Sequence, residues 1–146
     1  MFLTMKILTS EVVPSTLYPD VKYTFRKFSQ ARHLNFQKDT AEARFRLRKM
    51  VKELQSLEPA PGQEAKGEDL LKFNNLSDEI NMLVGQEINP KWIKHYLKSI
   101  EGLEFDDAPA TVETFLSDAP ADMYQECIQL IQKMAELTLE ESKNSQ

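Results

Sequence analysis

Few residues in this chain could do covalent or metal chemistry. It has one cysteine, Cys127, and two histidines, His33 and His95. A Cys127 nucleophile with His33 as its base would need hydrogen-bond contact and an orienting third group. Cys127 instead lies among apolar residues at helical spacing, where a free cysteine behaves as a packed core side chain. His95 sits among Lys91, Lys94 and Lys98, which reads as a solvated surface position. The acidic group Glu101, Glu104, Asp106 and Asp107 lacks the alternating ligands and closing glutamate of a calcium loop. So few cysteines and histidines exclude an internal disulfide and a multi-cysteine or histidine-rich zinc site. The four glycines, at positions 62, 67, 85 and 102, are too scattered for a phosphate-cradling loop. No catalytic residue, metal or cofactor is expected, and the chain reads as a binding or assembly module.

One surface feature stands out. Arg44, Phe45, Arg48, Lys49 and Lys52 fall on the side of a helix away from the apolar positions Ala43, Leu47 and Met50. An aromatic ring set among cations is the composition of an interface anchor, and these five are the candidate partner-binding residues. The alternative is that another element covers Phe45. Stacking on nucleic acid is disfavoured, because a second aromatic is missing and the acidic C-terminal part opposes phosphate approach.

The elements that must carry this face follow from periodicity. Val21, Tyr23 and Phe25 alternate with Lys22, Thr24 and Arg26, the period of a half-buried strand. Pro14, Pro19 and Asp20 supply a turn before it, so Lys6 to Val13 is the candidate first arm of a hairpin. From Ser29 to Leu57 no proline or glycine intervenes, and Phe36, Ala43, Leu47, Met50, Leu54 and Leu57 recur at near-heptad steps, which predicts one long basic helix over 29–57. Residues 58–68 hold Pro59, Pro61, Gly62 and Gly67 and read as a loop. A second helix is expected from about Asp69 to Glu87 on Phe73, Leu76, Ile80, Leu83 and Val84. A third is expected with Asn89 as its cap, Pro90 at its first position, Trp92, Ile93, Tyr96, Leu97 and Ile100 on one side, and Gly102 as its C-terminal cap.

Leu103 to Pro109 reads as a short extended piece with a tight acidic turn, and Thr111 caps a short helix through Leu116. In the last helix Met123, Tyr124, Cys127, Ile128, Leu130, Ile131, Met134 and Leu137 form an apolar wall, while Gln125, Glu126, Gln129, Gln132, Lys133 and Glu136 occupy the polar side. The expected fold is mainly α: four to five helices, a small N-terminal β-hairpin and a short second extended segment. One domain is expected over 1–139, with 1–28 as the hairpin region, 69–139 as the later helical part and 140–146 as a flexible tail.

With 146 residues, 41% hydrophobic and 28% charged, the composition is that of an ordinary globular domain. No apolar run approaches the ~20 residues that span a bilayer, and Met1 to Lys6 has no secretory pattern. The lone cysteine fits a reducing, cytoplasmic setting. The net charge of −5 conceals a division: Met1 to Leu57 carries 11 Lys and Arg against 5 Asp and Glu, a balance of +6, and the remainder 7 against 18, a balance of −11. Such asymmetry points to an acidic or basic partner, to self-association, or to two parts that face each other within one chain.

Three stretches carry a resemblance. Tyr18-Pro19-Asp20-Val21-Lys22-Tyr23-Thr24-Phe25-Arg26-Lys27-Phe28-Ser29, then Glu87-Ile88-Asn89-Pro90-Lys91-Trp92 continuing through Ile100 to Thr111, and the closing Leu139 to Ser145 together resemble the tail assembly chaperones of long-tailed phages and prophages. Asp107 departs from that pattern, where a glycine would complete an Asp-Gly turn. The resemblance implies a small, largely helical, non-enzymatic protein in the cytoplasm of a bacterial host. It would bind the long helical tape-measure protein and keep it soluble while the tail tube polymerises. The heptad spacing and the charge division separately leave a homo-oligomer open. Two other readings stay open: a structural component of the particle, such as a tail completion or connector protein, and a small nucleic-acid-binding regulator.

Overall fold

The alternation of Val21, Tyr23 and Phe25 does form a strand, and that strand is the centre of a sheet. The computed structural model describes residues 3–64 and 66–144, with side chains of the last helix described as far as residue 138. β1 (Ser10–Pro14) and β2 (Lys22–Arg26) make the N-terminal antiparallel hairpin, and β2 pairs on its other side with β3 (Leu97–Glu101). The first arm begins at Ser10 rather than Lys6. Pro14 is tolerated because β1 is an edge strand. The chain is mainly helical, with this hairpin and a short second extended segment: α1 (Gln30–Asp39), α2 (Ala41–Ser56), α3 (Glu68–Leu83), α4 (Asn89–Tyr96), α5 (Val112–Asp118) and α6 (Ala121–Asn144), with β4 (Glu104–Phe105) and β5 (Ala108–Pro109) between β3 and α5.

Contacts gather these elements into two compact units, Met1–Asn35 with Trp92–Gln146, and Phe36–Lys91. The division falls inside α1 and α4. In the first unit Tyr23, Phe25, Ile93, Tyr96, Leu97 and Phe115 are wholly buried, together with Met123, Cys127, Ile128 and Ile131 of α6. The Phe, Ile, Leu and Met side chains among these each contribute about 1.5–3 kcal/mol by leaving water. Tyr23 stands edge-on to Phe115, ring centres 6.2 Å apart, and Phe28 stacks on Tyr96 at 4.2 Å. Thr111 caps α5 as expected, exchanging bonds with Thr114 in a capping box.

The stretch expected as one helix over 29–57 is broken at Thr40. Its hydroxyl donates back to the Phe36 carbonyl at 2.8 Å, the intrahelical bond by which threonine bends a helix, and its backbone opens to φ −107° and ψ 3°. Arg44 reaches across the bend: Nη2 donates to the Gln37 carbonyl at 2.8 Å and Nε to Thr40 Oγ1 at 3.0 Å.

The break expected at Asn89 is absent. Asn89 is helical (φ −58°, ψ −44°), and its N–H donates to Val84 O, five residues back. Residues Val84–Ile88 form a π-helical turn joining α3 to α4. A proline within a helix removes one bond and presses on the carbonyl four residues earlier. The wider π turn before Pro90 makes room for it.

The third expected helix ends at Tyr96, and Leu97 to Glu101 is strand β3. Gly102 (φ +76°) closes that strand rather than capping a helix. The tight acidic turn does form: Asp106 and Asp107 take φ +49° and +65°, both left-handed, between β4 and β5. That is the backbone of a two-residue hairpin which glycine fits best at its second position. Asp107→Gly is therefore expected to stabilise the fold by about 0.5–1 kcal/mol, measurable as a rise in the denaturant midpoint. Helix α6 runs on to Asn144, into the stretch expected as a tail, and Ser145 and Gln146 lie outside the described residues.

Candidate interaction face on α2

In the unit Phe36–Lys91, α2 and α3 run antiparallel. Arg46 forms a bidentate ion pair with Glu87, just past the end of α3, while Glu53 and Leu57 line a depression with Lys72, Leu76 and Glu79 of α3. Ala43, Leu76 and Leu83 are buried along the seam, and Leu47, Met50, Leu54, Leu57, Phe73 and Ile80 are half-buried. Lys91 Nζ donates to the Asp39 carbonyl at 2.7 Å and to its carboxylate at 3.0 Å, tying the two ends of this unit together.

Of the five candidate residues, four share the exposed side of α2. Phe45 is 52% exposed, so the alternative that another element covers it does not hold. Lys49 Nζ lies 4.7 Å from the centre of its ring, a cation–π contact worth about 0.5–1 kcal/mol at an exposed site. Arg48, Lys49 and Lys52 are exposed, and at 100° per residue all lie within about 60° of Phe45. Arg44 is the exception. It is half-buried and its guanidinium is occupied by Thr40 and Gln37, so it braces the helix that presents the other four.

The other candidates are placed apart from this face. Cys127 is wholly buried, and burial pushes its thiol well above the usual range, with the charge of Glu126 adding to the shift. His33 packs against the Phe28 ring, centres 5.6 Å apart, and His95 is half-buried on α4. Glu101, Glu104, Asp106 and Asp107 are all exposed around the β4–β5 hairpin. Among the described residues no group of three or more His, Cys, Asp or Glu is placed to hold a metal ion, and no helix is long and apolar enough to cross a membrane. Comparison of the chain with protein-family models, with curated proteins and with solved structures finds no match.

Glu126 is the residue that its helical position misassigns. Expected on the polar side of α6, it is only 8% exposed and accepts five hydrogen bonds. Ser15 Oγ and the Tyr23 hydroxyl donate to Oε1 at 2.5 and 2.9 Å; Thr16 N–H, Thr16 Oγ1 and Leu17 N–H donate to Oε2 at 3.1, 2.8 and 3.2 Å. Burial raises its pKa, but the donors Ser15, Thr16, Tyr23 and the Leu17 amide outweigh it and hold the carboxyl below its ordinary value. Tyr18, in the same loop, donates to Asp122 at 2.8 Å. A signal was present: Glu126 lies about 60° from Met123 around the helix and beside Leu130, at the border of the apolar arc.

Proposed function

We propose that this chain is a non-enzymatic assembly chaperone of long-tailed phages, working in the bacterial cytoplasm, that binds the tape-measure protein and keeps it soluble while the tail tube polymerises. The observation that supports this most is the exposed Phe45 on α2, ringed by Arg48, Lys49 and Lys52. An aromatic anchor among cations on a helix suits a long amphipathic helix that offers apolar anchors at three- and four-residue steps. The resemblance of the Tyr18–Ser29 and Glu87–Thr111 stretches to tail assembly chaperones supplies the identity of that partner.

Co-expression tests the reading. A tape-measure protein that aggregates alone is expected to remain soluble and to co-purify with this chain, and mass spectrometry of finished particles is expected to find the chain missing. An insoluble tape measure in its presence would count against the chaperone reading. The chain found as a stoichiometric part of the particle would make it a structural component.

A further inference from the structure

Two exposed features, one in each unit, are complementary. The first is Phe45 with its cations. The second lies in the other unit, where the chain carries no Lys, Arg or His between Lys98 and Lys133 but eight carboxylates. Four of these, Glu101, Glu104, Asp106 and Asp107, are exposed about the β4–β5 hairpin. There Ile100, Leu103 and Pro109 line a shallow depression together with Glu101 and Glu104. A depression that offers Leu103 and Pro109 beside carboxylates suits an aromatic side chain that brings its own cations.

We infer that Phe45 of one copy docks into the Ile100–Leu103–Pro109 depression of a second copy, with Arg48 and Lys49 meeting Glu101 and Glu104. The two surfaces differ, so each copy carries one face of each kind. Phe45 is the anchor. The surrounding charges set orientation and rate more than affinity, and solvent ions weaken them. The contact is therefore weak and salt-sensitive. It requires no tape-measure protein and is tested on the purified chain alone; where both occur, a helical partner competes for Phe45.

Light scattering after size exclusion, at high protein concentration and from about 0.05 to about 0.5 M salt, is the measurement. The weight-average mass is expected to exceed the 16.9 kDa of one chain at low salt and to fall towards it as salt rises. Phe45→Ala is expected to hold the chain at one copy. So is the pair Arg48→Glu with Lys49→Glu, and so is the pair Glu101→Lys with Glu104→Lys. Mixing the two charge-reversed chains restores association, an outcome that misfolded variants cannot produce. A wild-type chain that stays at one copy at low salt, association indifferent to salt or to Phe45→Ala, or a mixture that fails to associate would overturn the inference.

Discussion

Glu126→Ala is expected to cost about 4 kcal/mol, and with it roughly 10–15 °C of melting temperature for a chain of this size. Five donors converge on this carboxylate, and two of them, Ser15 and Tyr23, are buried. Removing the acceptor leaves those hydroxyls without a partner out of water, each at about 1–3 kcal/mol. Glu126→Gln keeps the volume but turns an N–H2 group towards donors at one of the two oxygen positions, so it is expected to cost about 2–3 kcal/mol. The same carboxylate gives a pH dependence. Its pKa in the fold lies below its ordinary 4.5, so the folded chain binds fewer protons there than the unfolded one. The stabilisation is fully present above that ordinary value and is lost as pH falls through the folded pKa. Denaturant titrations from neutral pH down to about pH 3 should show this loss in the wild type and a smaller one in Glu126→Gln. Equal acid sensitivity in the two would remove Glu126 from the explanation.

Gly102→Ala is the second large effect, at about 3–4 kcal/mol. Gly102 has φ +76°, and a Cβ built there would lie 1.8 Å from the backbone carbonyl oxygen of Asp20. Two penalties combine: the left-handed conformation, about 1–2 kcal/mol for a residue with a Cβ, and displacement of backbone that no side-chain rotation can relieve. Gly102→Asn separates them, because asparagine tolerates the left-handed region but still carries a Cβ. If the approach of Asp20 dominates, Asn and Ala melt at similar temperatures; if conformation alone mattered, Asn would recover most of the loss. Both large effects act on the 15–21 connection between β1 and β2, held at residues 15–17 by Glu126 and approached at Asp20 by Gly102.

What the sequence made legible and what it hid have physical reasons at particular residues. β2 was readable because Tyr23 and Phe25 alternate in one register, and α6 because Met123, Cys127, Ile131 and Met134 repeat at helical steps. β3 was hidden by a bulge. Thr24 opposes Ser99 but Phe25 opposes Leu97, so Lys98 is the extra residue. That insertion places Leu97 and Ile100 on one face of a strand at a spacing of three, which imitates a helix. The joint at Asn89-Pro90 carried a sound start signal, yet the π turn absorbed the proline and let the helix continue. Thr40 carried no signal in periodicity, since the bend comes from a hydroxyl bonding back to Phe36. The interaction face was legible in its composition, and Arg44 was misplaced because its role depends on that bend.

The face itself is tested most directly by titrating a soluble helical segment of the tape-measure protein into the wild-type chain and into Phe45→Ala, by calorimetry, with melting curves as the control. Truncating a central aromatic anchor costs about 2 kcal/mol or more, so the variant is expected to bind roughly 30-fold more weakly. Because Phe45 is half-exposed and belongs to no core, its melting temperature should match the wild type's. Equal affinity for the two chains would contradict the assignment of α2 as the binding face.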